Sequence, residues 1–387
     1  MSEVRYFYGQ SYVNNLWAPR DIVAEGAYLR PSVSNAAVIC QWMTKIAGTY
    51  SQKHFWSNGF SSNALSYNTE STGGGYVGSI LQQDGTVWIW PGNTTNGVVY
   101  NPKLGTSTTY IPSFAGGNQQ NNACMLPDGR ILAIPKGIGI SFLTLWNSVT
   151  NTEQLIDMSP YGISGQLSGA CQLPDGRICL APGNAVNGIA NVITYNQNTG
   201  VFTNVYALSG TGGCILDVTG NVVFVPTTET VGISVWNPTT NVRSTISIAG
   251  MTDAFVGATV VPDGRIVFGP WTQDHIGVYN PLTYTYTSYP ITVPVDVNYA
   301  CPKTLPNGYV LLVPFNLTYF GLFNPYTNTY STFPATNVGA FTGATVVPDG
   351  RVVLANNTGF TGVPIMTGMN APVPPEWCLH PFFNKFP

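Results

Sequence analysis

One six-residue motif occurs four times in this chain. The segment 126-LPDGRI-131 recurs as 173-LPDGRI-178, 261-VPDGRI-266 and 347-VPDGRV-352. Catalysis needs one set of groups in one place, whereas a fold built from equivalent units needs the same turn in each unit. Asp-Gly between apolar runs predicts a tight hairpin, because glycine accepts a positive φ without steric cost. The predicted structural turn residues are Asp128, Gly129, Asp175, Gly176, Asp263, Gly264, Asp349 and Gly350.

The spacing of the turn glycine gives the size of the repeating unit. Seven such glycines lie 44, 47, 44, 44, 44 and 42 residues apart: Gly85, Gly129, Gly176, Gly220, Gly264, Gly308 and Gly350. A proline follows six residues later in the first six units and is replaced by Asn356 in the seventh. An aromatic-Asn pair, such as Tyr279-Asn280, comes further on in six units. Units of this length are typical of propeller blades.

Each unit contains the pattern of four strands. The strand after the turn, such as 310-VLLV-313, is apolar without alternation, which predicts that both of its faces are covered. The last strand, such as 284-YTYTSY-289, alternates as an outer strand with one wet side does. We therefore predict an all-β chain, a seven-bladed β-propeller of four-stranded blades, with a short partly helical N-terminal segment.

The predicted domain boundaries follow from the seventh unit, which lacks the aromatic-Asn turn. We expect residues 61–70 to supply its outer strand and close the ring, so that the propeller spans 61–370. Residues 1–60 form an anchor or docking segment with one helix at about 33–47, where apolar residues recur at helical spacing. Residues 371–387 form a C-terminal tail.

The segments 261-VPDGRIVFGP-270 and 278-VYNPLT-283 resemble the repeats of kelch-like and galactose-oxidase-like propellers, and the likeness covers roughly residues 76 to 366. The resemblance implies the fold, whereas such propellers serve enzymes and binding proteins alike. The glycine doublet usual after the apolar strand of kelch repeats is a single proline here. A copper-radical oxidase needs histidine and tyrosine ligands, whereas the three histidines, His54, His275 and His380, lie in different elements. Oxidase activity is not expected.

Candidate ligand-contacting residues lie in loops that share one face of the predicted propeller. The segment 271-WTQDH-275, read as a loop of the fifth unit, could form a general-base or metal-assisted site resembling that of propeller lyases, although a solvated polar loop is favoured. Aromatic and amide side chains in these loops suit sugars, and equally suit a protein interface. The candidate binding residues are Trp271, Gln273, Asp274, His275, Phe315, Asn316, Asn118 and Gln119, with Tyr319, Phe360 and Gln120 beside them.

The repeated arginines and cysteines are given structural interpretations. The turn arginines could ring one face and bind an anion, but local pairing with the turn aspartate is favoured. They are Arg130, Arg177, Arg265 and Arg351. Cysteines of the innermost strands are expected to be buried thiols, too far apart around a central channel to share a zinc ion. They are Cys124, Cys171, Cys214 and Cys301. We expect no metal and no cofactor.

The composition bears on function. Charged residues make up 8% of the chain and the net charge is −3, so neither nucleic acid binding nor membrane insertion is expected. Polarity comes instead from Asn, Thr, Ser and Gly. No secretion signal is visible, and the seven cysteines are an odd number, which leaves at least one thiol without an internal partner.

These features resemble bacteriophage tail, spike and fibre proteins, which are made in a host cytoplasm. We expect a structural or receptor-binding virion protein that contacts other virion proteins through its N-terminal region. A host glycan or protein is the expected ligand, and a homo-oligomer fits as well. The alternatives are an intracellular kelch-like interaction module and a propeller enzyme, either a lyase or polysaccharide-active. The few loop acids, such as Asp253, Asp274 and Asp296, argue against an enzyme.

Overall fold

The chain folds as a seven-bladed β-propeller. In the computed structural model, seven antiparallel sheets of four strands each account for the chain between residues 65 and 366. The structure describes residues 65–67, 75–92, 96–111, 120–126, 128–135, 140–163, 167–183, 191–208, 210–227, 232–248, 255–291, 298–305, 308–315, 317–334, 340–347, 350–357 and 363–366. The predicted fold class is therefore confirmed for the ring. The helix expected at about 33–47 and the tail at 371–387 lie outside these ranges.

Blades are numbered along the chain, with strands running from the centre outwards. Blade 1 comprises β2 Tyr76–Leu81, β3 Val87–Pro91, β4 Gly97–Asn101 and β5 Thr106–Tyr110. Blade 2 comprises β6 Gln120–Met125, β7 Ile131–Pro135, β8 Phe142–Asn147 and β9 Thr152–Asp157. Blade 3 comprises β10 Leu167–Gln172, β11 Ile178–Pro182, β12 Asn191–Asn196 and β13 Val201–Ala207. Blade 4 comprises β14 Cys214–Leu216, β15 Val222–Phe224, β16 Gly232–Trp236 and β17 Arg243–Ser247. Blade 5 comprises β18 Phe255–Val260, β19 Ile266–Pro270, β20 His275–Asn280 and β21 Thr285–Pro290. Blade 6 comprises β22 Tyr299–Thr304, β23 Val310–Pro314, β24 Tyr319–Asn324 and β25 Thr329–Pro334. Blade 7 comprises β26 Phe341–Val346, β27 Val352–Asn356, β28 Pro364–Met366 and β1 Leu65–Tyr67. A 3₁₀ turn, Ser159–Tyr161, follows β9.

Burial along the strands agrees with their place in a blade. Every residue of β7, β19 and β23 is buried, as expected for second strands covered on both faces by neighbouring blades. The outer strand β21 is mostly exposed, and only its two tyrosines are half-buried. These two residues, Tyr286 and Tyr289, lie three positions apart and so belong to opposite faces of the strand, and the burial does not show the single wet face that the sequence predicted.

An N-terminal strand completes the last blade. β1 pairs antiparallel with β28, with Leu65 opposite Met366 and Tyr67 opposite Pro364. β28 in turn pairs with β27, so the sheet reads β26, β27, β28, β1 from the centre outwards. The outer strand that the sequence predicts within 61–70 is thus present as β1.

The repeated motif builds the turn between the first and second strands. The four motif glycines have φ of +84° to +89°, the left-handed region that favours glycine. In blade 5, Asp263 Oδ1 accepts a hydrogen bond from the Arg265 backbone N–H at 3.1 Å, and the Arg265 guanidinium pairs with Asp263 Oδ2 at 2.7 Å. Blades 2 and 3 repeat this arrangement. The local pairing favoured from the sequence is confirmed for these three arginines. Asp349, in blade 7, lies outside the described ranges.

Three of the four turn arginines also join neighbouring blades. Arg177 of blade 3 donates to the Pro238 carbonyl of blade 4 at 3.5 Å. Arg265 of blade 5 donates to the Pro325 carbonyl of blade 6, and Arg351 of blade 7 does so to Pro102 of blade 1. Each of these prolines belongs to the aromatic-Asn-Pro turn between the third and fourth strands. The Asp-Gly-Arg turn of one blade therefore binds the aromatic-Asn-Pro turn of the next blade, and these two repeated motifs together connect neighbouring blades.

Replacing Gly264 with valine should lower the free energy of unfolding by more than about 1 kcal/mol. Its φ is +87°, where a β-branched side chain meets the backbone. Gly264→Asn is the matched control, because asparagine tolerates this region, and it should cost clearly less. Denaturant unfolding of both variants measures the difference; equal costs would show that the turn is not held in this conformation.

Candidate functional site

Two predicted binding residues meet at the boundary of blades 5 and 6. Trp271 lies in the loop between β19 and β20, and Phe315 lies in the equivalent loop between β23 and β24. Their ring centroids are 5.1 Å apart with a 48° tilt, and both side chains are half-buried. In an antiparallel blade these loops emerge opposite the motif turns. We call this side of the ring the loop face, defined by residues 271–274 and their equivalents. Trp271 and Phe315 thus form one aromatic patch across the boundary between blades 5 and 6.

His275 is held by hydrogen bonds on both sides of its ring. Its Nδ1 lies 2.8 Å from Asp274 Oδ1, and its Nε2 lies 3.1 Å from the Tyr286 hydroxyl. The Asp274 side chain is 96% exposed and that of His275 is 23% exposed. The sequence placed His275 in a loop, which is wrong: it is the first residue of β20 and pairs with Pro290 of β21. Its ring centroid lies 5.7 Å from that of Phe255, so the ring packs against the blade as well as bonding to Tyr286.

The proton on the Tyr286 hydroxyl bears on which ring nitrogen of His275 carries a hydrogen. Burial raises the pKa of the Tyr286 phenol well above its ordinary value, so the phenol keeps its proton at neutral pH. It can therefore donate to His275 Nε2, which leaves the Nδ1 hydrogen to be donated to the Asp274 carboxylate. Both nitrogens are then occupied within the protein. A substrate proton could reach Nε2 only after the Tyr286 hydrogen bond breaks.

A glycine makes room for Tyr286 over the third strand. A Cβ at Gly277 would lie 3.0 Å from Tyr286 Cε2 and 3.0 Å from Phe255 Cζ. Blade 6 has the same arrangement, since a Cβ at Gly321 would lie 2.9 Å from Tyr330 Cε2. There the Tyr330 hydroxyl is 2.7 Å from the Tyr299 hydroxyl. Tyr286 thus occupies a packing position that the repeat uses more than once. The outer-strand pattern located this tyrosine, but nothing in the sequence indicated its contact with His275.

Other predicted binding residues are less available. Gln273 is only 5% exposed, and its side-chain Nε2 has no hydrogen-bond partner within the described residues. The side chain is thus buried, and a contact between Gln273 and a ligand stays a prediction. Tyr319 begins β24 and is half-buried. Asn118, Gln119, Asn316 and Phe360 lie outside the described residues, as do His54 and His380, and Gln120 is described only as the first residue of β6.

The cysteines give one clear correction. Cys124, Cys171, Cys214 and Cys301 lie on innermost strands and are buried thiols, as expected. However, the Sγ atoms of Cys171 and Cys214 are only 3.6 Å apart, and the sulfur of Cys179 lies within 4.8 Å of both. The expectation that such cysteines are too far apart for one ion is wrong for this pair, because innermost strands of adjacent blades converge. The third member, Cys179, lies on the second strand β11, outside the innermost-strand pattern.

Over the ranges that the structure describes, no helix has the length and apolar character needed to cross a membrane.

Comparison with known proteins identifies the fold and nothing finer. No family model and no curated protein matches the chain. Among solved structures, a streptogramin B lyase has a TM-score of 0.67 at 15% identity, covering 78% of this chain and 97% of that one. A catalytically inactive histidine-to-alanine virginiamycin B lyase from Staphylococcus aureus with quinupristin has a TM-score of 0.65 at 15% identity, covering 78% and 98%.

A third match is the extracellular domain of a hybrid two-component system from B. thetaiotaomicron, with a TM-score of 0.61 at 12% identity, covering 80% of this chain and 42% of that one. None of the three is a kelch or bacteriophage protein, so they give no support to that part of the resemblance. At these identities, what the chain shares with the lyases and with this extracellular domain is the propeller fold.

Proposed function

We propose that the chain is a virion protein that displays its propeller and binds a ligand on the loop face without catalysis. The observation that carries the binding site is the aromatic pair Trp271 and Phe315, half-buried at the joint of two blades. Both residues are half-buried, so part of each side chain stays accessible to a ligand while packing holds it in place. A rigid patch of this kind binds at low cost in conformational entropy.

A carbohydrate is the ligand class that suits this patch best. Aromatic faces stack on the apolar faces of sugars, and the fully exposed Asp274 carboxylate beside Trp271 can accept hydrogen bonds from sugar hydroxyls. Asp274 is already fixed by His275 at 2.8 Å, so one of its oxygens stays free to face a ligand. The alternative ligand is a protein surface, for which the same aromatic residues are suitable.

The proposed absence of catalysis rests on the environment of His275. Its Nε2 is engaged by the half-buried Tyr286 phenol, and that phenol occupies a position with a structural counterpart in blade 6. Such a histidine orients Asp274 and links it to Tyr286 on the outer strand. The virion assignment rests on composition, with 8% charged residues and polarity from Asn, Thr, Ser and Gly. The N-terminal region is the proposed contact with other virion proteins.

An enzyme is the second candidate, and one observation favours it. Asp274, His275 and Tyr286 form a hydrogen-bonded chain at the rim of the loop face, and the fold resembles that of a streptogramin B lyase. If the chain is an enzyme, His275 would act as a general base after Tyr286 moves away. The His275→Ala variant distinguishes the two proposed functions. It should abolish turnover if the chain is an enzyme, whereas the ligand affinity of a display protein should stay within a few-fold of that of the unsubstituted chain.

Replacing Trp271 or Phe315 with alanine should weaken glycan binding at least about tenfold, because stacking aromatic residues dominate such contacts. Binding of the full chain to arrayed host-surface glycans identifies the ligand, and titration gives the affinities. Tyr326→Ala is the matched control, because Tyr326 is an exposed aromatic of blade 6 in a third-to-fourth strand turn, on the opposite face. Equal losses at Tyr326 and Trp271 would contradict a site on the loop face.

The virion assignment has its own test. Purified particles from the source should contain the chain, and cryo-electron microscopy of them should show the loop face towards solvent. If the protein is absent from particles and found free in the cytoplasm, the assignment fails, and an intracellular interaction module becomes the leading candidate.

A further inference from the structure

Three buried thiols from two blades meet near the centre of the ring. Cys171 on β10 lies directly opposite Cys179 on β11, both in blade 3. Cys214 begins β14 of blade 4, and its Sγ is 3.6 Å from that of Cys171. All three sulfurs lie within 4.8 Å of one another. The side chains are between 0% and 5% exposed, within an apolar cluster that also contains Leu173 and Val223. We call these three residues the thiol triad.

The separation of these sulfurs matches the geometry of a shared metal ion. A metal–sulfur bond of about 2.3 Å places sulfurs roughly 3.8–4.0 Å apart in tetrahedral or trigonal coordination. The observed separations, from 3.6 Å to at most 4.8 Å, bracket that range. An ion could therefore be held by small rotations of the side chains, without movement of the strands.

The number and kind of ligands select the ion. Among the described residues, no fourth His, Cys, Asp or Glu side chain joins the group. Structural zinc sites take four protein ligands, and iron–sulfur clusters take four cysteines. A set of three sulfur ligands without oxygen or nitrogen favours a soft cation, and Cu(I) is the soft first-row ion that thiolates select.

We propose that Cys171, Cys179 and Cys214 form a Cu(I) site that joins the innermost part of blade 3 to blade 4. Each cysteine that binds as a thiolate releases its proton to solvent, and neither the metal nor the sulfur changes oxidation state. An apolar surrounding favours neutral thiols over thiolates while no ion is bound.

The test uses the full chain with Cys40 and Cys378 replaced by serine, so that only the described cysteines remain. Cu(I) is added anaerobically in competition with a chromophoric Cu(I) chelator, both to the folded protein and during refolding, because the site is buried. We expect one Cu(I) per chain. Alanine at Cys171, Cys179 or Cys214 should weaken binding at least about 100-fold, since even the loss of an outer-shell partner costs 10- to 100-fold. X-ray absorption should show sulfur ligands alone.

Cys124→Ala is the matched control, because Cys124 is buried at the equivalent position of blade 2 and lies outside the triad. This variant should bind Cu(I) as the parent does. Thermal unfolding checks folding independently: Cu(I) should raise the melting temperature of the parent and of Cys124→Ala, but not of the triad variants. The proposal is overturned if neither loading route gives stoichiometric binding, if Cys124→Ala weakens binding equally, or if Zn²⁺ binds in preference to Cu(I).

Discussion

A chain that begins at residue 71 should aggregate and melt at least about 5 °C lower than one that begins at residue 61. The shorter chain lacks β1, which covers the outer edge of blade 7 by pairing with Pro364, Ile365 and Met366. Without it, β28 becomes an edge strand with unpaired N–H and C=O groups. Such edges pair with other chains. Light scattering after size-exclusion chromatography measures the aggregation, and thermal unfolding measures the stability.

The chain that begins at residue 61 is the control for this prediction. It lacks the same N-terminal 60 residues but keeps β1, so any loss shared by both chains belongs to the segment before the strand. If both truncated chains remain equally soluble and equally stable, β1 does not close the ring.

Gly343→Ala should lower the free energy of unfolding by at least about 3 kcal/mol, the upper end of the usual cost of overpacking. Gly343 lies on β26, the innermost strand of blade 7. A Cβ there would lie 2.8 Å from Gly78 Cα and 3.2 Å from Ser79 N in blade 1. These neighbours are backbone atoms and cannot rotate away. Relief would need the last and first blades to separate, which would also stretch the 2.8 Å hydrogen bond between Ser79 and Thr345.

Gly176→Ala is the comparison for Gly343→Ala. Gly176 has φ +89°, and no heavy atom lies within 4 Å of an added Cβ, so its cost is backbone strain alone, about 1–2 kcal/mol. Denaturant unfolding with an unchanged m-value gives both figures. If Gly343→Ala costs no more than Gly176→Ala, the two blades are not in tight contact at this point.

Features that depend on local turn chemistry could be predicted from the sequence. The Asp-Gly hairpin, the proline that ends the second strand and the aromatic-Asn turn each need particular residues at particular positions, so they repeat visibly. Blade 4 shows where the repeated motif fails to predict the turn contacts. It has 217-DVTG-220 in place of the motif, and the buried Asp217 Oδ1 accepts hydrogen bonds from the Thr219 and Asn221 backbone N–H groups instead. The glycine spacing still located that turn.

Contacts between blades could not be predicted, because they join residues a whole repeat apart with no local signal. Arg177 and Pro238 were each recognised as part of a motif, yet neither motif indicates that the two residues touch. The thiol triad was missed for the same reason, since its closeness comes from the convergence of inner strands. The link between His275 and Tyr286 depends on Gly277, whose role is visible only once the outer strand lies over it.

The pairing of β1 with β28 also determines how the ring responds to force. Leu65, where the chain enters the pair, lies opposite Met366, where the chain leaves it. A pull applied through the two ends of the chain would therefore separate the strands one residue pair at a time, like a zipper, rather than load all the pairs together in shear. Peeling of this kind yields at low force. A partner that holds residues just before Leu65 and just after Met366 together would remove that weakness, and so would act as a mechanical lock on the whole propeller.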